Sequence, residues 1–179
     1  MGTWKREPQE LSFGSAVGGV LGVAVGIYAG MNLLIPVAFI FVALVAGRRY
    51  LPESRKIWLP PLAVQFGHLC WMLLGGIISI ITSHVVPDIF VDVAVLGAGL
   101  VWLYVRPGLW PVIVLVLYHA ICLIVLGKTA AVSDQALYRA LLVHALLRVL
   151  AIGALLKAYV QQRRAKDSMA AAAISSAFE

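Results

Sequence analysis

Long apolar stretches, separated by short segments rich in charge, proline and glycine, constrain this chain more than any other feature of its sequence. A helix needs about 20 mostly apolar residues to cross the hydrocarbon core of a bilayer, with a lower limit of about 17. The sequence contains six segments that approach or exceed this length: 11–30, 33–47, 57–83, 89–105, 109–127 and 136–157. It therefore predicts an all-α, polytopic integral membrane protein with six transmembrane helices.

The second of these segments is short, so residues 11–47 could instead form one span followed by a re-entrant piece. In the six-span interpretation, Met31 and Asn32 extend the short segment at its outer end. Pro36 is expected in the first helical turn, where the missing N–H of proline is tolerated. The two interpretations differ in which side of the membrane receives the N-terminus.

The basic residues favour six spans. With six, both chain termini and the loops at 48–56 and 106–108 lie on one side of the membrane. That side receives every lysine and arginine except Lys128, Arg139 and Arg148. Because the cytoplasmic side of membrane proteins carries an excess of such residues, the N- and C-termini are both predicted to be cytoplasmic. Five spans would break this agreement.

The composition of the chain is that of a membrane protein. The chain is 62% hydrophobic and 12% charged, whereas soluble domains carry about 25% charged residues. Residues 1–160 are predicted to form one transmembrane domain and 161–179 a short cytoplasmic tail.

Short loops favour a bacterial inner membrane, and scattered basic residues do not indicate a nucleic-acid partner. The sequence carries no phosphate-binding, zinc-protease or serine-hydrolase motif, so no enzymatic activity is predicted.

Glycine recurs at every fourth position of the first segment, and we call this repeat the glycine ridge: Gly14, Gly18, Gly22, Gly26 and Gly30. Helices in lipid associate through close packing of small residues. The ridge resembles the glycine zippers of many unrelated membrane proteins, and it predicts a helix-packing surface. Its partner is either another span of the same chain, a second copy in a homo-oligomer, or a different membrane subunit.

Polar side chains within the spans are the candidate functional residues, because such groups are costly in a bilayer. His68, His119 and Arg148 each lie about nine or ten residues from the predicted inner end of a span, close to mid-membrane at 1.5 Å per residue. Gln65 shares a helix face with His68, and His144 shares one with Arg148. The sequence predicts that these five side chains form a solute-binding cluster.

No acidic residue matches that depth. Asp92 is expected about one turn into its span from the outer side, roughly 13 Å from the level of Arg148. A separate outer-face polar group is therefore predicted from Asp92, Arg139 and His84, with Lys128 as a further partner. A mid-membrane cluster that is basic and lacks an acid fits a small anionic or polar solute.

Three functions follow from these patterns. The first is a small membrane transport protein or channel for such a solute. The second is a non-catalytic accessory subunit of a larger membrane complex, docking through the glycine ridge and using Arg148 as a structural cross-link. The third is an electron-transfer subunit with haem b held between His68 and His119. No metal site is predicted, because His119 and Cys122 supply only two ligands.

Overall fold

The computed structural model describes residues 31–81, 87–131 and 135–176, which are helical apart from short connections and include no strand. The structure contains, in chain order, α1 (Met31–Tyr50), a short 3-10 helix (Glu53–Trp58), α2 (Leu59–Ile81), α3 (Pro87–Val105), α4 (Leu109–Ala130) and α5 (Gln135–Ser176). Helices α1 to α5 are each long and apolar enough to cross a membrane. This confirms the predicted all-α class and indicates an integral membrane protein.

Five of the six predicted spans correspond to these helices, with ends shifted by a few residues except at the end of α5. The first predicted span, 11–30, lies outside the described residues, as does the glycine ridge within it. Met31 and Asn32 extend α1, as predicted. Pro36 lies inside α1 rather than in its first turn. The helix tolerates it there because the missing N–H affects only the carbonyl of Asn32, close to the beginning of α1.

Prolines mark where several helices begin. Pro60 and Pro61 lie in the first turn of α2, Pro87 is the first residue of α3, and Pro111 lies in the first turn of α4. The first N–H groups of a helix have no partner within the helix, so proline removes no hydrogen bond there. The prolines therefore predict where these helices begin more precisely than the sequence predicts where they end.

Helix α2 is the centre of the bundle and packs against α1, α3 and α5, while α4 packs mainly against α5. Six buried side chains form a core where α2 and α4 begin and α3 ends, which we call the apolar end: Trp58, Leu103, Val112, Leu115, Leu155 and Ala158. At the same end, the guanidinium of Arg55 donates a hydrogen bond of 2.7 Å to the carbonyl of Tyr104. Neighbouring helices in this bundle therefore run antiparallel.

Gly67 of α2 is buried against α1. A Cβ atom at this position would lie 2.9 Å from the carbonyl oxygen of Pro36 and 3.2 Å from the amide nitrogen of Ile40. Both are backbone atoms and cannot move aside without shifting α1. Glycine at position 67 therefore sets the spacing of the two helices, in the way that small residues do in membranes.

Helix α5 has 42 residues, about 63 Å at 1.5 Å per residue. It continues through position 157, where the last span was predicted to end, and into the predicted tail. The side chains from 163 to 171 are all exposed. Alanine is the best helix former, so the alanine-rich sequence near 170 favours this continuation without packing support.

Candidate functional site

Polar side chains lie in the interior of the bundle, whereas large apolar ones such as Phe41, Leu117 and Ile124 face outward. We call the interior group the polar cluster: Gln65 and His68 from α2, Asp92 from α3, Tyr118 and His119 from α4, and His144 and Arg148 from α5. Four of its members, Gln65, His68, His119 and Arg148, are at most 2% exposed. The structure thus brings together all five residues that the sequence analysis grouped.

Asp92 belongs to this cluster, which corrects the prediction of an outer-face position. Its Oδ2 atom accepts a hydrogen bond of 2.7 Å from Nη2 of Arg148, and the two side chains form an ion pair. The side chain of Arg148 is 2% exposed and that of Asp92 is 26% exposed. The cluster is therefore not basic without an acid, because the carboxylate offsets the charge of the guanidinium.

The predicted separation of about 13 Å was wrong because it compared positions along two helix axes and neglected side-chain direction. Side chains on a helix tilt toward its N-terminal end. In α5 that is the end of the bundle where α3 also begins, and Asp92 lies in the early part of α3. The long side chain of Arg148 therefore extends toward the level of the carboxylate.

The Asp92 carboxylate is also bound from α4. The hydroxyl of Tyr118 donates to Oδ1, and the thiol of Cys122 lies 3.9 Å from the same oxygen. The ring of Tyr118 also faces the guanidinium, with Cζ of Arg148 at 5.2 Å from the ring centroid. Asp92 thus connects three helices through groups that can donate to it.

His119 lies between the ion pair and α2. Its Nδ1 atom is 3.5 Å from Nη1 of Arg148, and its Nε2 atom is 2.9 Å from the side-chain amide of Gln65. Arginine can only donate, so Nδ1 of His119 is the acceptor and the ring proton lies on Nε2. Gln65 is then expected to present its amide oxygen to this N–H, since two donors cannot bond to one another.

A second histidine pair extends the cluster toward α5. Nε2 of His68 lies 3.2 Å from Nδ1 of His144, so one ring donates to the other. The ring of His68 also stacks on that of His119, with centroids 6.2 Å apart and 21° between the planes. Trp71 packs on the other side of His144 at 6.2 Å. The three histidines therefore form one continuous group across α2, α4 and α5.

Three buried side chains in the cluster have hydrogen-bonding capacity that no described residue uses. These are Nδ1 of His68, Nε of Arg148 and the amide atom of Gln65 that does not face His119. A buried polar atom left without a partner costs about 1–3 kcal/mol, so such atoms are rare in folded proteins. The cluster therefore contains polar atoms that have no hydrogen-bond partner among the described residues.

The histidine pair considered for haem b has a different arrangement in the structure. Both ring nitrogens of His119 already face Arg148 and Gln65, so this ring presents no free nitrogen to an iron atom. Within the described part of the chain, no three histidine, cysteine or acidic side chains are placed to hold a metal ion. The geometry thus favours hydrogen bonding over ligation.

Tyr118 was not among the predicted site residues, and Asp92 was predicted to lie outside the cluster. Tyr118 and Cys122 are four residues apart on one face of α4, as His144 and Arg148 are on α5, and this matching spacing was the available signal. Of the other predicted outer-face residues, His84 and the side chain of Arg139 lie outside the described residues.

Comparisons with protein-family models, with curated proteins and with solved structures find no match for this chain. The polar cluster combines one ion pair, several neutral hydrogen-bonding groups and unused donors or acceptors inside an apolar bundle.

Tyr118→Phe is expected to destabilise the fold by about 1.5–3 kcal/mol, the usual contribution of a hydrogen bond to a charged group. The variant keeps the aromatic ring and removes only the hydroxyl that donates to Asp92. Unfolding in a denaturing detergent titration, followed by circular dichroism, measures this loss. Tyr104→Phe is the matched control, because the Tyr104 side chain is exposed and only its backbone carbonyl is hydrogen-bonded. Equal stability of both variants would contradict the assignment.

Proposed function

We propose that this chain is an integral membrane transport protein for a small polar or anionic solute, which it binds at the polar cluster. In this proposal the protein has six spans, with residues 11–30 forming the first, and both termini lie in the cytoplasm of a bacterial cell. The proposal rests on the site and on the distribution of charge, since ionisable groups inside a membrane bundle mark substrate pathways by default.

The observation that carries the proposal is the unused hydrogen-bonding capacity of Gln65, His68 and Arg148. Each of these side chains is at most 2% exposed, two of them from α2 and one from α5. A purely structural cross-link would be most stable with every polar atom paired. Unpaired atoms on three neighbouring side chains instead suit a solute that completes the network when it binds.

The surroundings of the cluster support access from one side. The apolar end closes the bundle beyond Arg148 with Trp58, Leu103 and Leu155, none more than 1% exposed. Three members of the cluster are partly exposed, Asp92, Tyr118 and His144, and of these Asp92 and His144 lie toward the end where α3 and α5 begin. Basic residues predict that this end faces away from the cytoplasm. A solute would therefore reach the cluster from the outside.

Tracer uptake into proteoliposomes tests the proposal. The probes are three solutes that can be anionic, namely chloride, lactate and dihydrogen phosphate, and two neutral ones, urea and glycerol. We expect the wild-type protein to raise uptake of at least one probe tenfold over empty liposomes. Arg148→Gln is expected to return that rate to the level of empty liposomes, because it removes the strongest donor in the cluster.

Arg106→Gln is the matched control, because Arg106 is an exposed arginine in the connection between α3 and α4. It is expected to transport at the wild-type rate. Circular dichroism and size-exclusion chromatography confirm that each variant is folded before it is assayed. Uptake of all five probes at the rate of empty liposomes would contradict the proposal, and so would an equal loss in both arginine variants.

A further inference from the structure

The ion pair between Arg148 and Asp92 limits what kind of solute the cluster can bind. Arg148 is the single cation among the cluster residues, and Asp92 is the single acid. Their charges cancel, and the neighbouring histidines and Tyr118 add hydrogen bonds without a fixed charge. An anion that joins this group leaves two negative charges facing one positive charge in a medium of low dielectric constant.

The guanidinium nevertheless has capacity for an anion. Asp92 engages Nη2 alone, His119 faces Nη1, and Nε has no partner among the described residues. A carboxylate or similar anion binds arginine best through two parallel N–H donors. Asp92 accepts a hydrogen bond from only one guanidinium nitrogen, Nη2. An incoming anion would therefore compete with Asp92 for Nη2 and would also accept a hydrogen bond from Nε.

We propose that the cluster takes up a monoanion together with one proton. The proton binds the carboxylate of Asp92, and the anion takes the place of that carboxylate on the guanidinium of Arg148. The net charge of the cluster then stays at zero, so the combined step avoids placing an unpaired charge in the bundle. This inference rests on the proposed function and specifies the solute class and its coupling.

The groups around Asp92 are suited to a carboxyl that gains and loses a proton. From α4 it faces the hydroxyl of Tyr118 and the thiol of Cys122, and from α5 it faces Arg148, with His144 one turn away. The hydroxyl of Tyr118 donates to the carboxylate now, and can accept from the protonated acid by rotating. The side chain of Asp92 is 26% exposed and that of Arg148 is 2% exposed, so the carboxylate is the more accessible partner of the ion pair.

His119 is a poorer place for that proton. Its Nδ1 atom accepts from Arg148, so a proton on Nδ1 would set two cations 3.5 Å apart. It would also leave Asp92 bound to the guanidinium and thus exclude the anion. Protonation of Asp92 removes the competitor and the excess negative charge in one step.

The test uses proteoliposomes with the pH-sensitive dye pyranine trapped inside and an inward gradient of chloride or lactate. For dihydrogen phosphate, which releases a proton of its own near neutral pH, the readout is whether the uptake rate depends on the membrane potential. We expect the transported anion to acidify the interior by one proton per anion, at a rate that does not change when valinomycin and potassium clamp the membrane potential. Anion uptake without acidification, at a rate that rises on clamping, would overturn the coupling and leave the proposed transport function standing.

Uptake of urea or glycerol with no anion uptake would overturn the inference that the solute is an anion. The proposed transport function would still stand. Absence of uptake for every probe would overturn the proposed function itself. Experiments on the wild-type protein alone therefore distinguish a failure of transport from a failure of proton coupling or of the solute class.

Asp92→Asn gives an independent check, because asparagine mimics the protonated acid. The acidification of the interior per anion taken up is expected to fall at least tenfold in this variant. Asp88→Asn is the matched control, an exposed acid in the first turn of the same helix, and is expected to retain coupling. Equal acidification by both variants would overturn the role of Asp92. If Asp92→Asn does not fold, the number of protons taken up per anion by the wild-type protein decides whether uptake is coupled.

Discussion

Asp92→Ala is expected to destabilise the folded protein by about 3–5 kcal/mol, because it leaves the buried guanidinium of Arg148 without its counter-charge. The removed carboxylate is also an acceptor for Tyr118, so two hydrogen bonds are lost with the charge. Unfolding in a denaturing detergent titration, followed by circular dichroism, measures the loss. Asp88→Ala is the matched control on the same helix and is expected to change stability by less than about 0.5 kcal/mol.

The double variant Asp92→Ala/Arg148→Leu separates a charge effect from a packing effect. Once both charges are gone, no unpaired charge remains in the bundle, so the double variant is expected to be more stable than Asp92→Ala. If the stability lost by the double variant equals the sum of the losses in Asp92→Ala and Arg148→Leu, the two charges do not interact and the ion pair is contradicted. The comparison does not depend on any transport assay and therefore tests the geometry of the cluster alone.

Gly67→Ala is expected to destabilise the fold by about 1–3 kcal/mol through overpacking between α1 and α2. The added Cβ would lie 2.9 Å from the carbonyl oxygen of Pro36, a contact that only a shift of the backbone relieves. Gly75→Ala is the matched control on the same helix, because a Cβ at Gly75 meets no described atom within 4 Å. Equal stability of the two variants in the same detergent titration would show that α1 does not pack as described.

The membrane helices could be predicted because they depend on local properties. Apolar length and composition are sufficient to locate a span, and proline at positions such as Pro60 or Pro87 marks its beginning. The extension of α5 to Ser176 was less evident, because its last part has neither the apolar composition of a span nor packing partners. Its alanine content was the signal that helix propensity alone would maintain it.

The candidate site was predicted in part. Counting residues from the span ends grouped His68, His119 and Arg148, and the structure places their side chains together. Counting failed for Asp92 because depth along one helix axis does not include the relative shift of two helices or the reach of a long side chain. Those quantities depend on how the helices pack, and no single segment of the sequence encodes them.

Helix α5 continues far beyond the ion pair. Arg148 and Ser176 lie on one continuous helix, and the 28 residues between their positions correspond to about 42 Å. Leu155 and Ala158 lie between these two positions and are buried at the apolar end, so a tilt of α5 at the guanidinium would have to displace them as well. A spin label near the tip, where the side chains are exposed, would report such a tilt without touching the cluster.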